Sequence, residues 1–199
     1  MSLVIVDYGM GNLRSVSNAF KLLGTKVDIT SDPKKVIAAE KLVLPGVGAF
    51  GDAVKELKKK KMLEAVKKFI SSGKHYLGIC LGLQLLFEES EEASEKGLGI
   101  FKGKVNHFRK KEGFKIPHMG WNSVRLSKPL DGIGDGSFYY FVHSYYAEPV
   151  DKTIIAGSTE YGGAEFASAI LKENVIATQF HPEKSQALGL KFLKKFIEL

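Results

Sequence analysis

The first half of the chain alternates short β-branched runs with glycine-rich turns and helix-spaced apolar positions, and this alternation restricts the fold more than any other feature. Leu3 to Val6 is followed by the turn Gly9-Met10-Gly11-Asn12, then by apolar residues at helical spacing from Leu13 to Leu23. The unit recurs: Val27 to Thr30 with a helix from Asp32, Lys41 to Leu44 with a helix near Phe50, and Tyr76 to Ile79 with a helix from about Gly82. Alternating strands and helices of this kind predict a parallel sheet covered on both faces.

From about Gly99 the pattern changes. G-I-F-K-G-K-V-N-H-F, S-F-Y-Y-F-V-H, T-I-I-A-G-S and F-A-S-A-I-L-K read as successive strands without helices between them, which predicts an antiparallel extension. A last strand, Val175 to Phe180, precedes a closing amphipathic helix, Gln186 to Ile197. The class is therefore α/β, a mostly parallel central sheet with helices on both faces plus an antiparallel extension. With 199 residues and no repeat, low-complexity tract or linker, residues 1–199 read as one domain.

An excess of 29 basic over 22 acidic residues would suggest a nucleic-acid partner if the cations were interleaved with aromatics. They gather instead on helix faces, K-E-L-K-K-K-K at Lys55–Lys61 and K-F-L-K-K at Lys191–Lys195, where a solvated surface accounts for them. No apolar run approaches the roughly 20 residues that span a bilayer, and Asp7 interrupts any signal-peptide pattern. The expectation is a cytoplasmic protein with neither nucleic-acid nor membrane partners. A single cysteine, Cys80, leaves no internal disulfide and no cysteine-rich metal site.

Cys80 lies in L-G-I-C-L-G-L-Q-L-L, between a predicted strand and a predicted helix, with glycine two residues away on each side. A lone cysteine among apolar residues is ordinarily core packing. Flanking glycines at a strand-to-helix junction argue instead for a nucleophile elbow, a tight turn presenting sulfur at the carboxyl end of the sheet, where open α/β sheets bind ligands. A helix N-terminus beneath it would favour the thiolate.

A thiolate mechanism needs a base, and T-Q-F-H-P-E-K-S supplies one. Pro182 biases His181 toward extended geometry, and residues two apart in an extended segment project to the same side, so His181 and Glu183 are expected side by side. Glu183 would then orient the imidazole. A third element, P-G-V-G at Pro45–Gly48, could turn the Val47 N–H toward a developing oxyanion, with the N–H of Leu81 as second donor. Alone it reads equally well as an ordinary strand-to-helix turn.

In this order, and over almost the whole chain, P-G-V-G, G-I-C-L-G-L-Q and H-P-E resemble the class I, or triad, glutamine amidotransferase family, whose core is flavodoxin-like. The resemblance implies Cys80 as nucleophile, His181 as general acid and base, Glu183 as its orienter, and Val47 and Leu81 as oxyanion donors, with Gly46 and Gly48 flanking Val47. It implies L-glutamine as substrate and no metal or cofactor. Gln84 would bind the substrate's α-amino acid end, with Ser144 and Tyr145 of V-H-S-Y as further contacts; Ser144 stands where many relatives have threonine, which keeps the hydroxyl.

P-H-M-G-W-N (Pro117–Asn122), D-Y-G-M-G-N, Y-Y-F-V-H-S-Y and F-H-P-E-K-S resemble the members of that family that feed ammonia to a separate (β/α)8 cyclase subunit in histidine biosynthesis. This implies a heterodimer, with Asn12, Trp121, Tyr140 and Lys184 at the subunit interface. The alternatives are a glutaminase serving another synthase, such as that making pyridoxal phosphate, and a thiol hydrolase or regulatory module on the same fold.

Overall fold

Strands and helices follow one another as the alternation predicts in the computed structural model, which describes residues 3–199. The first half comprises β1 (Leu3–Val6), α1 (Leu13–Leu22), β2 (Val27–Thr30), α2 (Pro33–Ala38), β3 (Lys41–Gly46), α3 (Phe50–Lys59), α4 (Met62–Ser71), β4 (Tyr76–Cys80) and α5 (Leu81–Gln84). The second half comprises β5 (Phe87–Ser90), β6 (Phe101–His107), β7 (His118–Leu126), β8 (Ser137–His143), β9 (Tyr145–Pro149), β10 (Ile155–Tyr161), β11 (Ala164–Lys172), β12 (Val175–Thr178) and α6 (Gln186–Glu198).

Among the described residues, nine strands form one sheet in the order β2-β1-β3-β4-β12-β11-β10-β7-β8. From β2 to β12 the pairings are parallel, and from β12 to β8 they are antiparallel. The strand β12 returns from the end of the chain to lie beside β4, which brings the segment after Thr178 next to Cys80.

Side-chain alternation explains why the inner parallel strands β1, β3 and β4 are apolar beyond Lys41, whereas the edge strand β2 keeps Asp28 exposed. Val4, Val6, Leu42 and Leu44 pack on one face with Val36 of α2, Leu57 of α3 and Phe69 of α4. Leu3, Ile5, Val43, Leu77 and Ile79 pack on the other with Phe20 of α1 and Phe192 and Phe196 of α6. Both faces are buried, so no polar alternation can survive in these strands. Lys55, Lys58, Lys59, Lys191, Lys194 and Lys195 are exposed, as solvated helix faces require.

The structure departs from the sequence reading in several places. The last strand, expected to reach Phe180, ends at Thr178; Lys152–Ile154, where T-I-I-A-G-S begins, is a 3-10 turn; and β7 is a strand the sequence reading does not include. The helix near Phe50 stops at Lys59, and α4 starts afresh after Lys61, whose backbone is left-handed (φ 59°). The helix expected from Gly82 is the single turn α5, after which the chain re-extends as β5. That strand belongs to a separate three-stranded sheet, β5-β6-β9, which no local pattern announces. Finally, β3 runs on to Gly46, so Pro45 and Gly46 pair with Ile79 and Cys80 instead of following the strand.

Candidate active site

The strand β4 ends in a sharp turn at Cys80, whose backbone lies at φ 53°, ψ −106°. A non-glycine residue with positive φ is strained and persists only where its surroundings dictate it. The flanking glycines provide those surroundings by close approach. A Cβ on Gly78 would lie 2.6 Å from the Gly82 carbonyl oxygen, and a Cβ on Gly82 would lie 1.9 Å from the carbonyl oxygen of Leu44. Because α5 is one turn long, the elbow offers a few unpaired N–H groups in place of the macrodipole of a long helix.

The Cys80 thiol is free and 94% enclosed, yet it opens onto a cavity of about 340 Å³ instead of ending in hydrocarbon. Its sulfur lies 3.6 Å from Nε2 of Gln179 and 3.9 Å from the Val142 carbonyl. A cavity of this size is within the range of small-ligand sites.

Beyond β12, His181 is extended and Pro182–Lys184 form a 3-10 turn. The carboxylate therefore reaches the imidazole by curling back, not by projecting from the same side of a strand. Glu183 Oε1 lies 2.8 Å from His181 Nδ1, and both side chains are at most 2% exposed. Three further bonds pin the imidazole's backbone: the His181 N–H donates to the Tyr140 carbonyl (2.9 Å), Ser185 Oγ donates to the His181 carbonyl (2.7 Å), and the Tyr140 N–H donates to Ser185 Oγ (3.0 Å).

His181 Nε2 is buried without a settled partner. Burial by itself would lower the His181 pKa; its interactions with the neighbouring Cys80 and the bonded Glu183 outweigh that and push it up to about 10. The arrangement therefore favours an imidazolium held between sulfur and carboxylate. Stability contributed by this histidine is complete below its unfolded value near 6.5 and is lost as pH rises through about 10.

The cavity wall brings together most of the sequence-predicted substrate residues. Val47, Gly48, Leu81, Gln84, Ser144 and Tyr145 all line it. Gly48 takes φ +94°, a conformation suited to glycine, and Gly46 is so closely packed that a Cβ would meet the Tyr8 hydroxyl at 2.5 Å. Gln84 is less free than its position suggests: its Nε2 donates to the Tyr145 carbonyl (2.8 Å) and to Gln179 Oε1 (3.1 Å), which leaves Oε1 as the atom of that amide available to a ligand.

Sequence reasoning passed over two side chains here. Gln179, buried in the F-H-P-E approach, faces the sulfur; only its place two residues before His181 could have signalled it. Glu92 sits in an acidic run that reads as solvated surface, yet it lines the cavity and its Oε2 accepts from the Phe50 N–H (2.7 Å) at the start of α3.

The residues assigned to a partner face divide. Trp121 and Tyr140 pair across β7 and β8 with ring centroids 6.2 Å apart, and the Lys184 ammonium lies 5.7 Å from the centre of the Tyr140 ring. Met119 and Phe138, 62% and 56% exposed, extend the same outer face of this hairpin toward Val142 at the cavity. Asn12 is exposed but committed as the N-cap of α1, accepting from the Ser15 N–H at 3.2 Å.

A buried imidazole pair closes the inner wall. His118 and His143 approach at 3.0 Å (Nδ1 to Nε2) inside a ring of Phe108, Phe141, Tyr161 and Phe166. Burial lowers His118 to about 4 and His143 to about 3. Both are neutral in the folded chain, whereas in the unfolded chain they take up protons below about 6.5. Stability is then complete above pH 6.5 and lost as pH falls toward 4, at up to about 1.4 kcal/mol per pH unit for each histidine. Urea unfolding should show roughly 3 kcal/mol less stability at pH 5 than at pH 7; equal midpoints would contradict neutral burial of the pair.

No helix among the described residues is long and apolar enough to cross a membrane, and no group of three metal-binding side chains occurs among them.

A family model described as glutamine amidotransferase class-I matches residues 4–199. The imidazole glycerol phosphate synthase subunit HisH of Rhodopirellula baltica is 50% identical, with 98% of this chain and 96% of that protein covered. The subunit of the same name from Caldanaerobacter subterraneus subsp. tengcongensis is 52% identical, with coverage of 98% and 97%. A crystal structure described as glutamine amidotransferase superposes with a TM-score of 0.76 over 98% of this chain and 97% of its own, at 18% identity, and so shares the fold.

Proposed function

Since this chain belongs to the glutamine amidotransferase class-I family, we propose that Cys80, His181 and Glu183 carry its glutamine hydrolysis, and that residues 1–199 work as one amidotransferase domain. The chain acts as the glutaminase subunit of imidazole glycerol phosphate synthase in histidine biosynthesis. One observation carries the assignment of residues: a strained cysteine opens on a cavity while a buried His181–Glu183 pair acts on its sulfur.

The Cys80 thiolate attacks the side-chain carbonyl carbon of glutamine, and the carbonyl oxygen becomes an oxyanion received by the Val47 and Leu81 N–H groups. His181 passes its proton to the departing nitrogen, the C–N bond breaks, and ammonia leaves a γ-glutamyl thioester on Cys80. His181, now neutral, takes a proton from water as its oxygen attacks the thioester; glutamate departs and the thiolate returns. Glu183 holds Nδ1 throughout, so Nε2 is the nitrogen that exchanges protons. Gln84, Ser144 and Tyr145 hold the amino-acid end, and the Glu92 carboxylate supplies a counter-charge for its ammonium. Treatment with a glutamine-analogue electrophile should add its mass to Cys80; a chain left unlabelled in the presence of its partner would contradict the assignment.

The partner is a separate cyclase of (β/α)8 form, paired with this chain in the cytoplasm as a heterodimer. The exposed side chains of Met119, Trp121, Phe138 and Lys184, with half-buried Tyr140, form a stripe that supports its placement, because clustered exposed aromatic and apolar side chains ordinarily mark a docking face. Asn12 lies on the same reading at its margin. The stripe leads to the cavity through Val142, so ammonia formed at Cys80 would be released toward the partner instead of into bulk water, where it would be protonated.

Gly46 and Gly48 on either side of Val47 allow that peptide to change orientation when the partner is engaged. Glutamine hydrolysis by the chain alone should therefore be slow and should rise about 5- to 150-fold with cyclase and its nucleotide ligand. Equal, high rates in both conditions would refute partner control.

A further inference from the structure

The hydrogen bonds of His118 and His143 can be assigned proton by proton. The Tyr145 carbonyl can only accept, so His143 Nδ1, 2.8 Å away, carries a hydrogen. In a neutral ring Nε2 is then the acceptor, and the group facing it at 3.0 Å, His118 Nδ1, must donate. That leaves His118 Nε2 as an acceptor, and Asn122 Nδ2 lies 3.4 Å from it. The Asn122 amide is oriented independently, because its Oδ1 accepts from the Ser123 N–H (2.8 Å) and its Nδ2 donates to the Glu160 carbonyl (2.9 Å).

All the donors therefore point one way, from Asn122 through His118 and His143 to the Tyr145 carbonyl. That carbonyl also receives Gln84 Nε2 at 2.8 Å; Gln84 in turn reaches Gln179 at 3.1 Å, and Gln179 reaches the Cys80 sulfur at 3.6 Å. A phenylalanine would fill the aromatic cage around His118 without the cost of desolvating an imidazole, so packing alone does not call for histidine. What the imidazole adds is direction.

We propose that the His118–His143 pair is a positioning device for the glutamine pocket: both rings carry their one hydrogen on Nδ1 and fix the Tyr145 carbonyl, which sets the Gln84 amide with Oε1 toward the substrate. The proposal rests on the functional reading above, in which Gln84 holds the amino-acid end of glutamine. Neither histidine is a catalytic residue; they act through Tyr145 and Gln84. The path also begins beside Trp121 on the proposed partner face, so the pocket wall and that face share one rigid network.

The test compares the full chain, assembled with its cyclase, as the parent, His118→Phe and His118→Asn. His118→Phe keeps a ring in the cage and removes the donor, so His143 Nε2 loses its partner and the ring is held from one side alone. KM for glutamine should rise about tenfold, while kcat stays within about threefold. His118→Asn returns an N–H near the Nδ1 position and should bring KM back to within about threefold of the parent. A KM in folded His118→Phe within twofold of the parent, or His118→Asn impaired as much as His118→Phe, overturns the proposal. Imidazole ¹⁵N spectra of the unmutated chain decide it even if His118→Phe fails to fold: both rings should show a hydrogen on Nδ1, and a hydrogen on Nε2 of either sinks the assignment. A parent complex with no glutaminase activity overturns the functional reading instead, and the spectra still decide the pair.

Discussion

Replacing Cys80 with alanine should lower glutamine hydrolysis by roughly 10⁴-fold or more while leaving synthesis from added ammonia intact in the partner. Alanine removes the only thiol in the chain and leaves the rest of the cavity wall in place. Without the thiolate there is no thioester, and water would have to attack an unactivated amide directly. Glu183 remains on His181 Nδ1, but burial, the first influence on that imidazole, then acts without the opposing interaction with Cys80, so His181 should lose most of its elevation from about 10. Two measurements decide it: glutamate release with glutamine as nitrogen source, and product formation with ammonium salt. Full glutamine-dependent synthesis by Cys80→Ala would remove Cys80 from the mechanism. Loss of the ammonia-dependent reaction as well would mean that the substitution disturbs the partner and not only the chemistry.

The parts of this site that sequence reveals are those fixed by short-range backbone rules. Glycines two residues either side of Cys80 announce the elbow because α5 approaches both β3 and β4 too closely for any Cβ, and Pro182 between His181 and Glu183 announces that the two side chains lie together. Even there the local geometry differs in detail: the H-P-E segment is a 3-10 turn and not an extended strand, because Ser185 and Tyr140 bind its backbone from outside the segment. What stays hidden depends on partners far away in sequence. Gln179 and Cys80 are 99 residues apart, and Gln84 and Tyr145 are 61 apart. The second sheet is hidden for the same reason, since β5 continues an apolar run that would serve a helix equally well until β6 and β9 arrive to pair with it. His118 and His143 look like strand residues with polar tips, and nothing in their own segments reveals that they face each other.

Gly82→Ala should destabilise the chain by about 3 kcal/mol or more, lowering the thermal midpoint by roughly 10 °C in a protein this size. The added Cβ would sit 1.9 Å from the Leu44 carbonyl oxygen and 3.0 Å from its carbon, well inside any contact real atoms show. Both obstacles are backbone, and β3 is held there by its parallel pairing with β4, in which Leu44 faces Gly78. No side chain can swing away to make room, and Gly78 closes the other side, since its own Cβ would meet the Gly82 carbonyl. Gly24→Ala is the natural control: that glycine has φ +78° with open space around it, so its substitution carries only the left-handed backbone penalty of about 1–2 kcal/mol. If β3 yields to the Gly82 substitution, Pro45, Gly46 and Val47 move with it, and glutamine hydrolysis should fall together with stability. A Gly82→Ala chain that melts within a degree or two of the parent would show that β3 and α5 meet less tightly than this, and would weaken the argument that close approach, more than local flexibility, is why glycine stands beside Cys80.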